Sequence, residues 1–204
     1  MSSATTTQPA VRSASPVALV PHKWTLAECR RLGESGLFDN KKTMLVRGEL
    51  FVTPLPDPPH DEALGLVDDW LRAVVGQNFH VRAQMAFEAG DSDPGPDIAV
   101  VAGTRRDMTG RRPTTAALVV EVASTSLSMD TTTKAELYAT AGVPDYWVLD
   151  LNARVLHVFR DPQANIALGV TTYRSRTTHS ETESATPLVA PNASVRVSAL
   201  RPRA

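Results

Sequence analysis

Cysteine is almost absent from this chain of 204 residues: Cys29 stands alone, so no internal disulfide can form, and no paired Cys/His spacing offers a zinc scaffold. A reducing cytoplasm is the compartment this predicts. Long apolar runs are missing too; none approaches the ~18 residues of a membrane span, and the opening MSSATTTQPAVRSASP lacks the hydrophobic centre of a secretion signal. No membrane partner is expected. Neither sign of charge is in surplus, because 21 Lys+Arg against 22 Asp+Glu leave a net charge of -1. A basic coat for nucleic acid is therefore excluded, and any such contact has to be local. Phosphate-cradling glycine loops and nucleophile elbows are also absent, since GDSDPGPD has glycines but no following lysine.

What is present is an ordinary globular composition, 42% hydrophobic and 21% charged. Set against the ~150 residues typical of a domain, the length favours one full domain with extra material. Residues 1–16 are Ser, Thr, Ala and Pro with little to bury and read as a disordered tail, leaving 17–204 as a single domain.

Within it, Thr25 and Glu28 have the spacing of a capping box, opening a short helix that ends near Gly33 or Gly36. MLVRGELFV predicts a strand or hairpin with a bulge at Gly48. From His60 to Val75 the apolar residues Leu64, Val67, Leu71 and Val74 recur at three- and four-residue steps, which predicts a helix. HVRAQMAFE, from His80 to Glu88, alternates as a strand with one wet face. DIAVVA and ALVVEVA are apolar on both faces and belong in the middle of a covered sheet. Asp130 to Ala141 predicts a helix stopped by Gly142 and Pro144, followed by strands YWVLDL and RVLHVFR and by edge strands after Asp161.

Three charges contradict their local pattern, and such conflicts concentrate at functional sites. Glu121 lies in an otherwise apolar strand, where a carboxylate must be paired, protonated or metal-bound. Asp97 opens DIAVVA after the Pro94-Gly95-Pro96 turn. Lys134 shares a helix face with Leu137, Tyr138 and Ala141, and the separation 134 − 121 = 13 is enough for a strand end, a loop and one helical turn. Two acids and a lysine at one sheet rim suit a divalent cation, of which Mg²⁺ best fits oxygen ligands and phosphate substrates. A buried ion pair fits the same residues equally well, and Asp97 also suits a turn. His60 is either a helix-terminal residue bonded to backbone or a site residue facing inward; Glu49 is either solvent-facing or a fourth acid at the rim. Arg105, Arg106, Arg111 and Arg112 share one polar loop that is either solvated or in contact with phosphates.

The segments PGPDIAVV and LVVEVASTSLSMDTTTKAELYATAGVPDYWVLDL, with RGELFVTPLPDPPH before them, resemble the Uma2 family of restriction-type endonucleases in the PD-(D/E)XK nuclease superfamily, from about Trp24 to Phe159. The resemblance implies an α/β (α+β) fold, a restriction-endonuclease-like mixed β-sheet flanked by helices. It implies Asp97 and Glu121 as metal ligands and catalytic residues with Lys134, which replaces a lysine the superfamily often places two residues after the acid, where this chain has Ala123. Glu49 and His60 match auxiliary positions. The implied activity is endonucleolytic hydrolysis of DNA phosphodiesters with Mg²⁺ or Mn²⁺, in a protein that forms a homodimer. Two other readings remain: a catalytically inactive nuclease-fold interaction module, and a two-carboxylate glycoside hydrolase, which gives Lys134 no task.

Overall fold

A computed structural model describes residues 19–39, 41–53, 55–165 and 169–203, so the expected 1–16 tail lies outside the described residues. Helix α1 (Leu26–Glu34) starts at Thr25 with the reciprocal capping box to Glu28 that the sequence predicts. Strands β1 (Lys42–Val46) and β2 (Glu49–Thr53) pair as an antiparallel hairpin. Between them no bulge forms. Arg47 and Gly48 instead make a two-residue turn with φ of 48° and 78°, the left-handed pair that matches strand twist. A Cβ at Gly48 would meet Lys23 at 2.9 Å, so glycine is needed there twice over.

Helix α2 (Pro58–Val74) is capped by Asp57, whose side chain accepts from the His60 amide, with proline in the first turn. It buries His60, Ala63, Val67 and Leu71, while Leu64 and Val74 of the expected stripe are partly buried. Strand β3 (Phe79–Ala83) is shorter than the alternation predicts. Gln84 takes a φ of 49° and breaks the strand; beyond it Phe87 is fully buried from an irregular loop, but Met85 is exposed and Arg82 is buried, so the expected alternation does not continue past the strand.

Strands β4 (Ile98–Ala102), β5 (Leu118–Ala123), β6 (Asp145–Asp150), β7 (Val155–Asn165) and β8 (Val170–Ser180) complete a six-stranded sheet in the order β3-β4-β5-β6-β7-β8. Only the β5–β6 pair is parallel; all its neighbours are antiparallel. This is the mixed α+β sheet the sequence predicts. The connection between the parallel pair is helix α3, which opens at Leu127–Met129, passes through a π-helical turn at Asp130–Lys134 and closes over Ala135–Thr140. It begins three residues earlier than expected. Short strands β9 (Ser184–Ala185) and β10 (Val195–Arg196) form a separate pair near the end.

Two apolar layers sandwich the sheet. One joins α2 to Ile98, Val120, Trp147 and Leu156 with the C-terminal residues Val197 and Leu200; the other joins α3 and the hairpin to Val119, Tyr138, Tyr146 and Phe87. The hairpin is held to the rest by backbone hydrogen bonds between Leu45 and Asp93 and by the Arg47–Glu136 ion pair. Central strand β5 is buried along its whole length, which explains why both its faces are apolar.

Trp147 is fully buried and stacks on Trp70 of α2 at 6.2 Å. Trp147→Ala is expected to cost about 3–5 kcal/mol in a urea unfolding titration; a loss below ~1 kcal/mol would show that this layer does not hold α2 to the sheet.

Candidate active site

Five described acids are buried, namely Asp97, Glu121, Asp130, Asp145 and Asp150, and their surroundings divide them. Asp145 accepts from the Trp147 indole, the Arg160 guanidinium and the Leu188 amide, while Asp150 accepts from the Asn152 and Ala153 amides at a tight turn. Neither lines the cavity at the sheet rim. Asp97 and Glu121 do line that cavity, of about 500 Å³, with Lys134 and His60.

Glu121 points from β5 toward α3, on the same face as Val119 and Ala123. Its Oε2 lies 2.9 Å from Lys134 Nζ, and its Oε1 accepts from the Tyr138 hydroxyl at 2.6 Å. Lys134 and Tyr138 are one helical turn apart, so the helix presents both to one carboxylate. The π-turn brings in a second acid: Asp130 Oδ1 is 3.1 Å from the same ammonium, and the Ser126 hydroxyl donates to its other oxygen. Lys134 is thus clamped between two carboxylates with its side chain 9% exposed.

Asp97 sits just ahead of β4, beside the end of β5. Its Oδ2 accepts from the Val122 amide at 2.9 Å and faces His60 Nε2 at 3.2 Å, while Oδ1 accepts from Lys42 Nζ at 3.1 Å. His60 reaches it from the first turn of α2, and Lys42 from the first residue of β1. Five structural elements therefore converge on one rim, at the point where β5 changes from an antiparallel to a parallel neighbour.

Burial dominates the electrostatics of Glu121, pushing its carboxyl up to about 8; Lys134 works against that shift, and Asp97 and Asp130 add to it. For Lys134 burial acts downward, but Glu121, Asp130 and Asp97 outweigh it and hold the ammonium protonated above its ordinary range. Burial would also raise Asp97; the His60 hydrogen bond and the charges of Lys42 and Lys134 overcome it and keep this carboxyl well below the usual carboxylate range. The hydrogen bond to Asp97 likewise raises His60 against the effect of its own burial. Tyr138 is pushed well above its usual value by burial and then by Glu121, so it remains a donor.

Of the residues singled out in the sequence, Asp97, Glu121, Lys134 and His60 are brought together. Glu49 is not: it is exposed on the hairpin beside Gly48 and pairs with Lys23 at 2.7 Å, because the tight turn faces it away from the rim. None of Arg105, Arg106, Arg111 and Arg112 lines the cavity. Their loop leaves β4 at the end opposite Asp97; Arg112 pairs with Asp93 at 2.9 Å and Arg111 bonds the Asp107 carbonyl. Sequence reasoning missed Lys42 and the burial of Asp130. Lys42 had one available signal, its period-two placement with the buried Met44 and Val46. Asp130 had none, since a helix-capping aspartate and one turned inward by a π-turn look alike in sequence.

Among the described residues no group of three or more His, Cys, Asp or Glu side chains is arranged to hold a metal ion, and no helix is long and apolar enough to cross a membrane. A family model, Uma2, described as putative restriction endonuclease, matches residues 28–198. The structure is similar to that of a putative nuclease belonging to DUF820 from Anabaena variabilis ATCC 29413. The TM-score is 0.69 at 17% identity, over 87% of this chain and 97% of that one. At that identity the likeness establishes the fold. Comparison with curated proteins gives no match.

Because the folded carboxyl of Glu121 lies above its ordinary value of 4.5, its contribution to stability is fully present below 4.5 and lost as the pH rises through about 8. In EDTA, the melting temperature of the wild type is expected to fall across that window more than that of Glu121→Gln. Parallel curves would show that Glu121 is already ionised throughout.

Proposed function

The chain belongs to the Uma2 family, and on that premise we propose that it is an endonuclease hydrolysing DNA phosphodiesters at the Asp97–Glu121–Lys134 cluster with Mg²⁺, for which Mn²⁺ can substitute. The observation carrying this reading is the 2.9 Å contact of Lys134 with Glu121 on the wall of the cavity that Asp97 also lines. An ion pair made only for stability has no need of an opening, and buried Asp145, paired with Arg160, does not line this one.

The donor set suits a hard divalent cation. Asp97 and Glu121 offer carboxylate oxygens and nothing softer, and Mg²⁺ is commonly held by one or two carboxylates, with water and substrate phosphate completing its shell. The reluctance of buried Glu121 to ionise beside a single ammonium marks a site short of positive charge. Asp97 and Glu121 would hold the ion, which supplies Lewis-acid polarisation of the phosphoryl group and a water of lowered pKa.

The chain's own residues do the rest. Lys134, kept protonated and fixed by Glu121 and Asp130, presents N–H donors at the rim, to orient a water or to stabilise charge developing on phosphate. His60 and the Val122 amide fix the carboxylate of Asp97, so its orientation does not depend on substrate. Lys42, with a side chain 30% exposed, is the looser cation and can exchange Asp97 for a substrate phosphate. No covalent intermediate is required. A homodimer and a cytoplasmic location complete the proposal.

Purified protein incubated with plasmid and linear DNA in Mg²⁺, Mn²⁺ or EDTA tests it. Asp97→Asn and Lys134→Ala are expected to lower metal-dependent cleavage by about 10²-fold or more, and Mg²⁺ to raise the melting temperature of the wild type but not of Asp97→Asn. Identical products from the wild type and both variants under every condition would leave the inactive interaction module as the better account.

A further inference from the structure

The cavity has two unlike sides. Its polar side is the acid–lysine rim; its other side is built by the hairpin and its exit, with Met44, Phe51, Val52 and Leu55, together with Met129 of α3. Leu55 is 64% exposed, among the few large apolar side chains that the described residues leave in water, and Phe51, on the hairpin face it shares with Met44, is partly buried. Exposed apolar surface continuous with a polar site marks a place where a ligand covers it. The volume, about 500 Å³, falls within the ~300–1,000 Å³ typical of pockets for one small ligand.

The cations at this cavity are Lys42, Lys134 and His60, and each already faces a carboxylate at 2.9 to 3.2 Å. Among the described residues no arginine lines it. Duplex DNA is gripped through phosphates of both strands by a track of such cations. Single strands are gripped instead by apolar and aromatic surfaces on which bases stack. A base within a duplex offers only its edge; its face becomes available once it leaves the stack.

Resting on the nuclease reading, we propose that the wall formed by Phe51 and Leu55 receives the face of an unstacked nucleobase whose phosphate lies at the acid–lysine rim. The substrate is then single-stranded DNA, or the unpaired end of a duplex, in preference to an intact duplex. Phe51 is the stacking surface; Leu55, at the outer edge, covers the base from water.

The test uses the whole chain with a labelled single strand, the same strand in a blunt duplex and a duplex with an unpaired fork, in Mg²⁺. Wild type is expected to cut the single strand and the fork at least about tenfold faster than the blunt duplex, and Phe51→Ala and Leu55→Ser to lower the single-strand rate by about tenfold. Because Leu55 is exposed, its replacement should leave the melting temperature unchanged, which separates substrate contact from folding. Equal or faster cutting of the blunt duplex would overturn the inference while leaving the nuclease reading intact. If no substrate is cut, the nuclease reading fails, and fluorescence anisotropy in EDTA decides the rest. Tighter binding of the single strand that Phe51→Ala weakens supports the base-binding wall, and equal affinity for both forms overturns it.

Discussion

Placing Glu121 in the middle of the most buried strand is the constraint around which the surrounding structure is arranged. A carboxylate 1% exposed loses its hydration, and the loss must be met locally by charge and hydrogen bonds. Lys134 and Tyr138 meet it, and both come from α3, so the rotation of that helix about its axis is set by one acid on the sheet. The π-turn then follows as a geometric accommodation: widening the helix there lets Asp130 and Lys134 both turn inward. It is tied down by the Tyr146 hydroxyl, which donates to the Asp130 carbonyl at 2.8 Å. A buried ion pair is weak evidence for stability, because an apolar replacement of similar volume often does as well. Its retention here, on the wall of an open cavity, points toward chemistry rather than packing.

The same reasoning applies to the side chains around Asp97. Every polar atom of that carboxylate has a partner, yet the partners differ in kind. The Val122 amide belongs to the sheet and His60 is anchored through a capped helix start, both buried, whereas Lys42 stands at the first residue of β1 with its side chain 30% exposed. The buried partners orient the acid, and the exposed cation is the one a phosphate can displace. The Nδ1 of His60 is buried without a hydrogen-bond partner, which leaves its ring position set by Asp97 rather than by a second anchor.

Much of this was legible in the sequence because the signals were local. Capping of α1 follows from Thr25 and Glu28, and the centrality of β4 and β5 follows from apolar runs without alternation. The convergence of Glu121 with Lys134 followed from a single misfit in each of two periodic patterns. What escaped depended on backbone conformations that ordinary residues adopt under tertiary pressure: the left-handed Gln84 that ends β3, the tight turn that sends Glu49 outward, and the π-turn that buries Asp130. Lys42 escaped for another reason. Two adjacent lysines before a strand normally mark a solvated end, and only the fold brings the second within 3.1 Å of Asp97, 55 residues away.

Charge balance is where the whole-chain view and the site view part. A net charge of -1 excludes a protein that coats DNA, but affinity for a phosphate backbone depends on where cations stand and whether they are free. Arg47, Arg112, Arg154 and Arg160 are each engaged by an acid, and among the described residues no arginine lines the cavity. The cavity compensates with apolar area instead. An interface that draws its affinity from stacking is less sensitive to salt than one drawn from phosphate contacts. An electroneutral chain can therefore still engage a polyanion one nucleotide at a time.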